Sequence, residues 1–498
     1  MATATPALMR GQAILAIDEG TTGVTALLLG PRRQVLGRAY AEIAQRYPHP
    51  GWVEQDAAKI WTTTRAVARA ALRSANVAPS QVLAVGVTNQ RETTVLWDRK
   101  TGTPVAPAIV WQDRRTSSRC AALRPDWQGQ VQRATGLVID PYFSATKLEW
   151  LLDRRNLRRR AAAGELAFGT VDSWLAWKMT GRHVTDPTNA SRTLLWNIRK
   201  GAWDDELLDL FGVPAAVLPE VVPSSHGIGP ASGLGFDAPL ASLAGDQQSA
   251  LFGQRCFRAG AAKNTYGTGC FLLQHTGSRA VTSRNRLLTT RAASVDGRAQ
   301  FALEGAVFTA GAAIQWLRDQ LQVIQAASDV DRLAGTVPDA AGAIVVPAFT
   351  GLGAPHWDPE ARGAILGITR GTDRRHLARA VLESLALQAA QVLWAMEHDS
   401  GVRIPSLRVD GGAARSRPLL QFQADLLRRP VVRPANVETT AMGAGMLAGL
   451  AVGAWRMRDL EKRDAGDVRF APRMPAREVK ARLAAWDQAV AATRTFKP

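Results

Sequence analysis

Ala13-Ile14-Leu15-Ala16-Ile17-Asp18-Glu19-Gly20-Thr21-Thr22-Gly23-Val24-Thr25-Ala26-Leu27-Leu28-Leu29 is the stretch on which the fold turns. Two apolar runs flank a turn of glycine, threonine and acid, a pattern that reads as a β-hairpin. Val35 to Ile43 adds a strand-like stretch after Pro31-Arg32-Arg33-Gln34, so the chain opens as an antiparallel meander, and a helical pattern follows from Asp56 to Arg73. The same opening recurs halfway along. Ala261 to Tyr266 leads into Gly267-Thr268-Gly269 and then Cys270 to Gln274, and a long helical pattern with Asp373 as its N-cap stops at Gly401. The expected architecture is two α/β domains, residues 1–253 and 254–498, with the ligand in the cleft between them.

Bulk properties agree. A chain of 498 residues exceeds what one core supports, and 46% hydrophobic with 21% charged residues is enough to fill two cores without a partner. No run approaches the roughly 20 apolar residues that cross a bilayer. The opening Met1-Ala2-Thr3-Ala4-Thr5-Pro6 lacks the charged and then apolar pattern of an export signal, so a cytosolic location with no membrane partner is expected. Cys120, Cys256 and Cys270 are odd in number and lack metal-ligand spacing, which predicts neither a structural disulfide nor a zinc site. A net charge of +18 raises the possibility of a nucleic-acid partner. The excess is spread along the chain, however, with only short clusters such as Arg154-Arg155 and Arg158-Arg159-Arg160 and no interleaved aromatics. A solvated basic surface, whose field draws in anionic nucleotide, is the reading preferred over nucleic-acid binding.

Two common phosphate-binding devices are missing: there is no G-x-x-x-x-G-K-[ST] loop, and no G-x-G-x-x-G between a strand and a helix. The turns Asp18 to Thr22 and Gly267 to Gly269 remain. Glycine lets backbone N–H groups approach phosphate oxygens and threonine adds a hydroxyl, so one such turn per domain can grip a triphosphate from both sides. Each taken alone is equally well a plain hairpin turn. Leu407-Arg408-Val409-Asp410-Gly411-Gly412-Ala413 reads as a strand whose Gly-Gly end bares backbone for a flat adenine ring, before a helix that starts near Ser416.

Asn89-Gln90-Arg91-Glu92-Thr93-Thr94, Ile109-Val110-Trp111-Gln112-Asp113-Arg114-Arg115-Thr116, Pro141-Tyr142-Phe143-Ser144-Ala145-Thr146-Lys147, Gly245-Asp246-Gln247-Gln248 and Tyr266-Gly267-Thr268-Gly269-Cys270-Phe271 together resemble the FGGY carbohydrate kinases, and within them those acting on glycerol. The resemblance runs in order from about residue 13 to about 455. It implies a pair of RNase-H-like domains of the actin/hexokinase type, with ATP, Mg²⁺ and glycerol meeting between them, and a homodimer or homotetramer. It assigns glycerol to Arg91, Glu92, Trp111, Tyr142, Asp246, Gln247 and Phe271. These types make chemical sense, because a triol needs paired donors and acceptors beside an apolar wall. Asp246 is the expected proton acceptor, though it can equally cap a helix beginning near Gln247. The resemblance gives Asp18 to Mg²⁺ through its water shell, Thr21, Thr22, Thr268 and Gly269 to phosphate, Gly311 and Gln315 on the following helix segment to the nucleotide as well, and Gly412 and Ser416 to the adenosine.

Three departures from the family pattern stand out. Glu19 replaces the usual Gln, and Gly23-Val24-Thr25 replaces Ser-Ser-Arg, so a basic phosphate contact is lost at Thr25. Ser416 stands where many members carry an adenine-contacting Asn. Gly235-Phe236-Asp237 replaces the Gly-rich, Arg-bearing loop of members inhibited by fructose 1,6-bisphosphate, so inhibition through that loop is not expected. His226, in a Ser-Ser-His-Gly loop, is expected to be merely solvent-exposed. The rival readings are a kinase of the same family for another polyol or sugar, and a non-catalytic actin-like binding protein.

Overall fold

The computed structural model describes residues 11–154, 156–462 and 466–496, so Met1 to Pro6 and Arg155 lie outside it. Strand β1 (Ala13–Glu19) pairs antiparallel with β2 (Gly23–Leu29), setting Asp18 opposite Thr25. β3 (Val35–Glu42) completes the meander on the far side of β2. All of β2 is buried, as a strand covered on both faces must be. Helix α1 (Ala57–Ser74) covers one face, and Asp56 caps it by accepting from the amides of Ala58 and Lys59 at 2.9 and 3.2 Å. β4 (Val82–Asn89) and β5 (Pro239–Gly245) then join in parallel, giving the order β5-β4-β1-β2-β3. Gly245 passes directly into helix α2 (Asp246–Gly253).

The second half repeats this plan. β6 (Ala262–Tyr266), β7 (Cys270–Gly277) and β8 (Phe301–Val307) form an antiparallel meander, followed by helix α3 (Gly311–Asp319). The crossover helix α4 (Arg374–Ser400) starts on the Asp373 cap and stops at Gly401, whose φ of 68° suits glycine. β9 (Leu407–Asp410) and β10 (Val431–Arg433) join in parallel, and α5 (Arg417–Leu427) lies between them in the chain. The order β8-β7-β6-β9-β10 matches β3-β2-β1-β4-β5 strand for strand, so the duplicated Gly/Thr turns mark a duplicated RNase-H-like topology.

The last long element of that plan crosses over. Helix α6 (Thr439–Ala451) follows the second sheet in sequence, yet it covers the free face of the first. Small residues make this possible: Ser242 and Ser225 donate to the carbonyls of Ala444 and Leu447 at 2.8 Å, and a Cβ on Gly86 would lie 2.3 Å from the Ala444 carbonyl. Where α6 crosses α2, a Cβ on Gly443 would lie 1.9 Å from Ser249 O and one on Gly253 2.0 Å from Thr439 O. The joint between the two halves is therefore backbone against backbone.

Arginines of the basic cluster are engaged locally: Arg160 pairs with Asp98 and Glu165, and Arg158 with Asp153. Cys120, Cys256 and Cys270 are buried free thiols. His226 is exposed.

Candidate active site

The chain leaves β4 through Gln90-Arg91-Glu92, and Glu92 takes φ 63°. For a side chain other than glycine this costs on the order of 1–3 kcal/mol. The Glu92 carbonyl anchors the turn by accepting from Ser144 Oγ at 2.9 Å, and the bend carries Arg91 and Glu92 inward, to 3% and 1% exposure. They do not form a surface ion pair. Arg91 grips Glu304 of β8 as a fork, with Nη1 to Oε2 at 2.6 Å and Nη2 to Oε1 at 3.0 Å. Its Nε lies 3.0 Å from Asp246 Oδ1. Glu92 Oε1 accepts from Arg192 Nε at 2.6 Å, and Arg192 Nη2 donates to Glu304 at 3.0 Å. Burial works to raise the Glu304 carboxyl, but Arg192 and Arg91 outweigh it and hold it down at about 2. At Glu92 burial outweighs the same two arginines, so its carboxyl is raised.

Asp246 opens α2 and is the accessible acid, with a side chain 30% exposed. Its Oδ1 accepts from the Gln247 amide at 2.7 Å and its Oδ2 from Gln247 Nε2 at 3.1 Å, so it helps start the helix while facing the cleft. Gln247 Oε1 in turn accepts from Lys263 of β6, a buried amine that also donates to Thr265 at 2.9 Å. Trp111 stands edge-on to Tyr142, ring centres 5.4 Å apart, and donates from Nε1 to Thr21 Oγ1 at 2.9 Å. The first hairpin turn thus supports the aromatic wall. Tyr142 is held through its carbonyl by Lys147 Nζ at 2.8 Å, and burial lowers that amine to about 7. Phe271 sits half-buried on β7, between Thr265 and Ala306 of the neighbouring strands.

On the other side, Thr22 is exposed at the tip of the first turn. The second turn is docked on α3, where the amides of Gly311 and Ala312 donate to the carbonyls of Gly267 and Thr268 at 3.0 and 3.1 Å. A Cβ on Gly311 would meet Gly267 O at 2.6 Å, so glycine is needed there for close approach and its own N–H is already used. Thr268 and Gln315 remain exposed. Gly411, at φ 85°, packs where a Cβ would lie 2.4 Å from Tyr266 O, whereas Gly412 faces open space as a stacking surface requires. Ser416 departs from expectation: it is 4% exposed, caps α5 by accepting from Leu419 N at 3.2 Å, and donates to Asp331. Its hydroxyl is committed to the helix start and is not free for a base. In the loop that departs from the bisphosphate pattern, Asp237 is exposed and Arg69 donates to Leu234 O at 3.4 Å.

Asp18, at the end of β1, is the perturbed acid of the site. Burial, and then the charges of Asp246 and Glu438, push its carboxyl up to about 8. A dication carried in on nucleotide phosphates would relieve that repulsion, and Mg²⁺ takes one or two carboxylates plus waters. Among the described residues no group of three or more His, Cys, Asp or Glu is placed to hold a metal ion. The donor set therefore fits a Mg²⁺ that arrives with the nucleotide.

Glu304, Arg192, Lys263 and Glu438 belong to the site without having drawn notice in the sequence. Glu304 had a legible signal, as a lone acid inside the apolar strand Phe301-Ala302-Leu303-Glu304-Gly305-Ala306-Val307, since a carboxylate there needs a buried cation.

Residues 13–253 match the FGGY family of carbohydrate kinases, N-terminal domain, and residues 262–452 match the C-terminal domain of the same family. The chain is similar to a glycerol kinase of Rhodopirellula baltica, 55% identical over 486 residues, which span 96% of this chain and 90% of that one. It is 54% identical over 489 residues to a glycerol kinase of Acidovorax sp. strain JS42, with 96% and 98% covered. Among solved structures, Plasmodium falciparum glycerol kinase with ADP superposes at a TM-score of 0.91 and 32% identity, over 97% of this chain and 98% of that one.

Proposed function

This chain belongs to the FGGY family of carbohydrate kinases, and on that premise we propose that it transfers the terminal phosphoryl group of ATP to glycerol, giving sn-glycerol 3-phosphate and ADP. The observation that carries the substrate is the buried Arg91 and Glu92 pair, set against Asp246. Arg91 offers an N–H and Glu92 an oxygen to neighbouring hydroxyls, while Trp111, Tyr142 and Phe271 wall the carbon chain and Gln247 adds a further polar contact. A charged or much larger substrate would leave part of this donor and acceptor set unmet.

Asp246 receives the proton of the attacking hydroxyl. A carboxylate is far too weak a base to deprotonate an alcohol in advance, so the proton moves as the new P–O bond forms. Thr21 and Thr22 hold phosphate oxygens from the first domain, Thr268 and Gly269 from the second, and Gly311, Gln315 and Gly412 lie along the nucleotide. Asp18 orients Mg²⁺, which when bound offsets the charge gathered on the phosphates. Closure of the cleft excludes water and so limits idle hydrolysis. The same reading has the enzyme work in the cytosol as a homodimer or homotetramer, with the chain divided at residue 253. No helix among the described residues is long and apolar enough to cross a membrane.

Turnover of glycerol, dihydroxyacetone, erythritol and xylulose with ATP and Mg²⁺ tests the reading. Glycerol should lead in kcat/KM by about tenfold or more, and a comparable lead for any other member of the panel overturns it. Asp246→Asn should lower kcat by about 10²–10⁴ while the melting temperature barely moves.

A further inference from the structure

We propose that Glu304 is a positioning residue for the polyol, a charged anchor that the second domain supplies to the Arg91 and Glu92 pair of the first; the inference rests on the function proposed above. Glu304 sits in β8, paired to Leu273 of β7 on one side and to Leu288 on the other, and is 2% exposed. A carboxylate buried in a sheet persists only when paired. Its partners are Arg91 and Arg192, both on the first domain.

What these partners do sets the pairing apart from a structural lock. The fork from Arg91 fixes the plane of a guanidinium whose Nε faces Asp246 at 3.0 Å. Arg192 spans from Glu304 to Glu92 Oε1, so the same carboxylate also fixes the Glu92 side chain. One carboxylate thus orients the donor and, through Arg192, the acceptor that meet neighbouring hydroxyls. Arg192 is fully buried, its guanidinium lying 5.2 Å from the Phe143 ring and 5.7 Å from the Tyr142 ring, so its bond to Glu304 also steadies the aromatic wall. Because Glu304 rides on the second domain, parting the domains takes from both arginines the carboxylate they share, leaving Arg91 with Asp246 and Arg192 with Glu92. Polyol affinity is therefore tied to the relative placement of the two halves.

The test is steady-state kinetics of Glu304→Gln, which keeps the size and loses the charge, and Glu304→Asp, which keeps the charge and loses the reach. The KM for glycerol should rise about tenfold or more, with kcat and the KM for ATP within about threefold of wild type, and glycerol should no longer raise the melting temperature as it does for the wild type. Should Glu304→Gln fail to fold, with two buried guanidiniums left short of one carboxylate, Glu304→Asp decides. A folded variant with an unchanged glycerol KM overturns the proposal, as does a uniform loss of activity that tracks the folded fraction, or failure of both variants to fold. A wild type that leaves glycerol untouched removes the proposed function and this inference with it, an outcome distinct from wild-type turnover beside indifferent variants.

Discussion

Asp18 shows how a single residue can store the requirement for a ligand. Its carboxyl lies at about 8 in place of 3.8, pushed there by burial and by Asp246 and Glu438. Between those two values the folded chain holds a proton that the unfolded chain has released. The stability this confers is complete below about pH 4 and is lost as pH rises through 8. Asp18→Asn is neutral at every pH, so its melting temperature should match wild type near pH 4 and exceed it by a widening margin, several degrees or more, by pH 9. Melts at the two pH values check this, and an equal offset at both would remove the titration from Asp18. The residue opposite Asp18 across the hairpin sharpens the point. Where the expected pattern has an arginine this chain has Thr25, so the side chain paired with Asp18 across the hairpin is uncharged.

At the scale of elements, the crossing of α2 over α6 is the place where a small change has the largest mechanical effect. Neither Gly253 nor Gly443 has a positive φ, so their need for glycine comes from proximity alone. Gly443→Val pushes a side chain into the Ser249 carbonyl and separates the helices that join the two halves. It should cost about 1–3 kcal/mol in urea unfolding and lower kcat while raising both KM values, because Asp246 starts the helix that is displaced. Unchanged kinetics in a destabilised variant would show that the crossing is structural only. Nothing in the sequence announces this contact, since Thr439–Ala451 reads simply as an apolar helix and its partner lies about two hundred residues earlier. The hairpins and the α4 helix were legible because their signals are local: an apolar run, a Gly/Thr turn, an Asp cap, a Gly stop. The site divides the same way. Arg91 with Glu92 and Asp246 with Gln247 are sequence neighbours that advertise each other, whereas Arg192 and Lys263 acquire meaning only from partners the fold brings in from other segments, and Glu304, a lone acid in an apolar strand, signals a partner without naming it. Ser416 misleads for the converse reason, since a hydroxyl just before an apolar helix serves first as its cap.

For the whole molecule, two copies of one strand order face each other, and the substrate residues of the first are held by charged side chains of the second, Glu304 through Arg91 and Lys263 through Gln247. The duplication could be read from the chain because both turns survive in it; the division of labour could not, because the residues that hold the site lie inside strands. Net charge acts at this largest scale. With +18 in excess and the clustered Arg158 and Arg160 engaged by neighbouring acids, the remaining charge is spread along the chain as a diffuse positive field. Such a field concentrates a polyanion near the cleft and leaves a neutral polyol unaffected. Raising KCl from 20 to 200 mM shortens the screening length from about 20 Å to about 7 Å. The kcat/KM for ATP should then fall by about two- to tenfold while the kcat/KM for glycerol at saturating ATP stays level. The uncharged substrate serves as the internal control, since a parallel decline in both constants would point to salt acting on the interdomain ion pairs and not on the approach of the nucleotide.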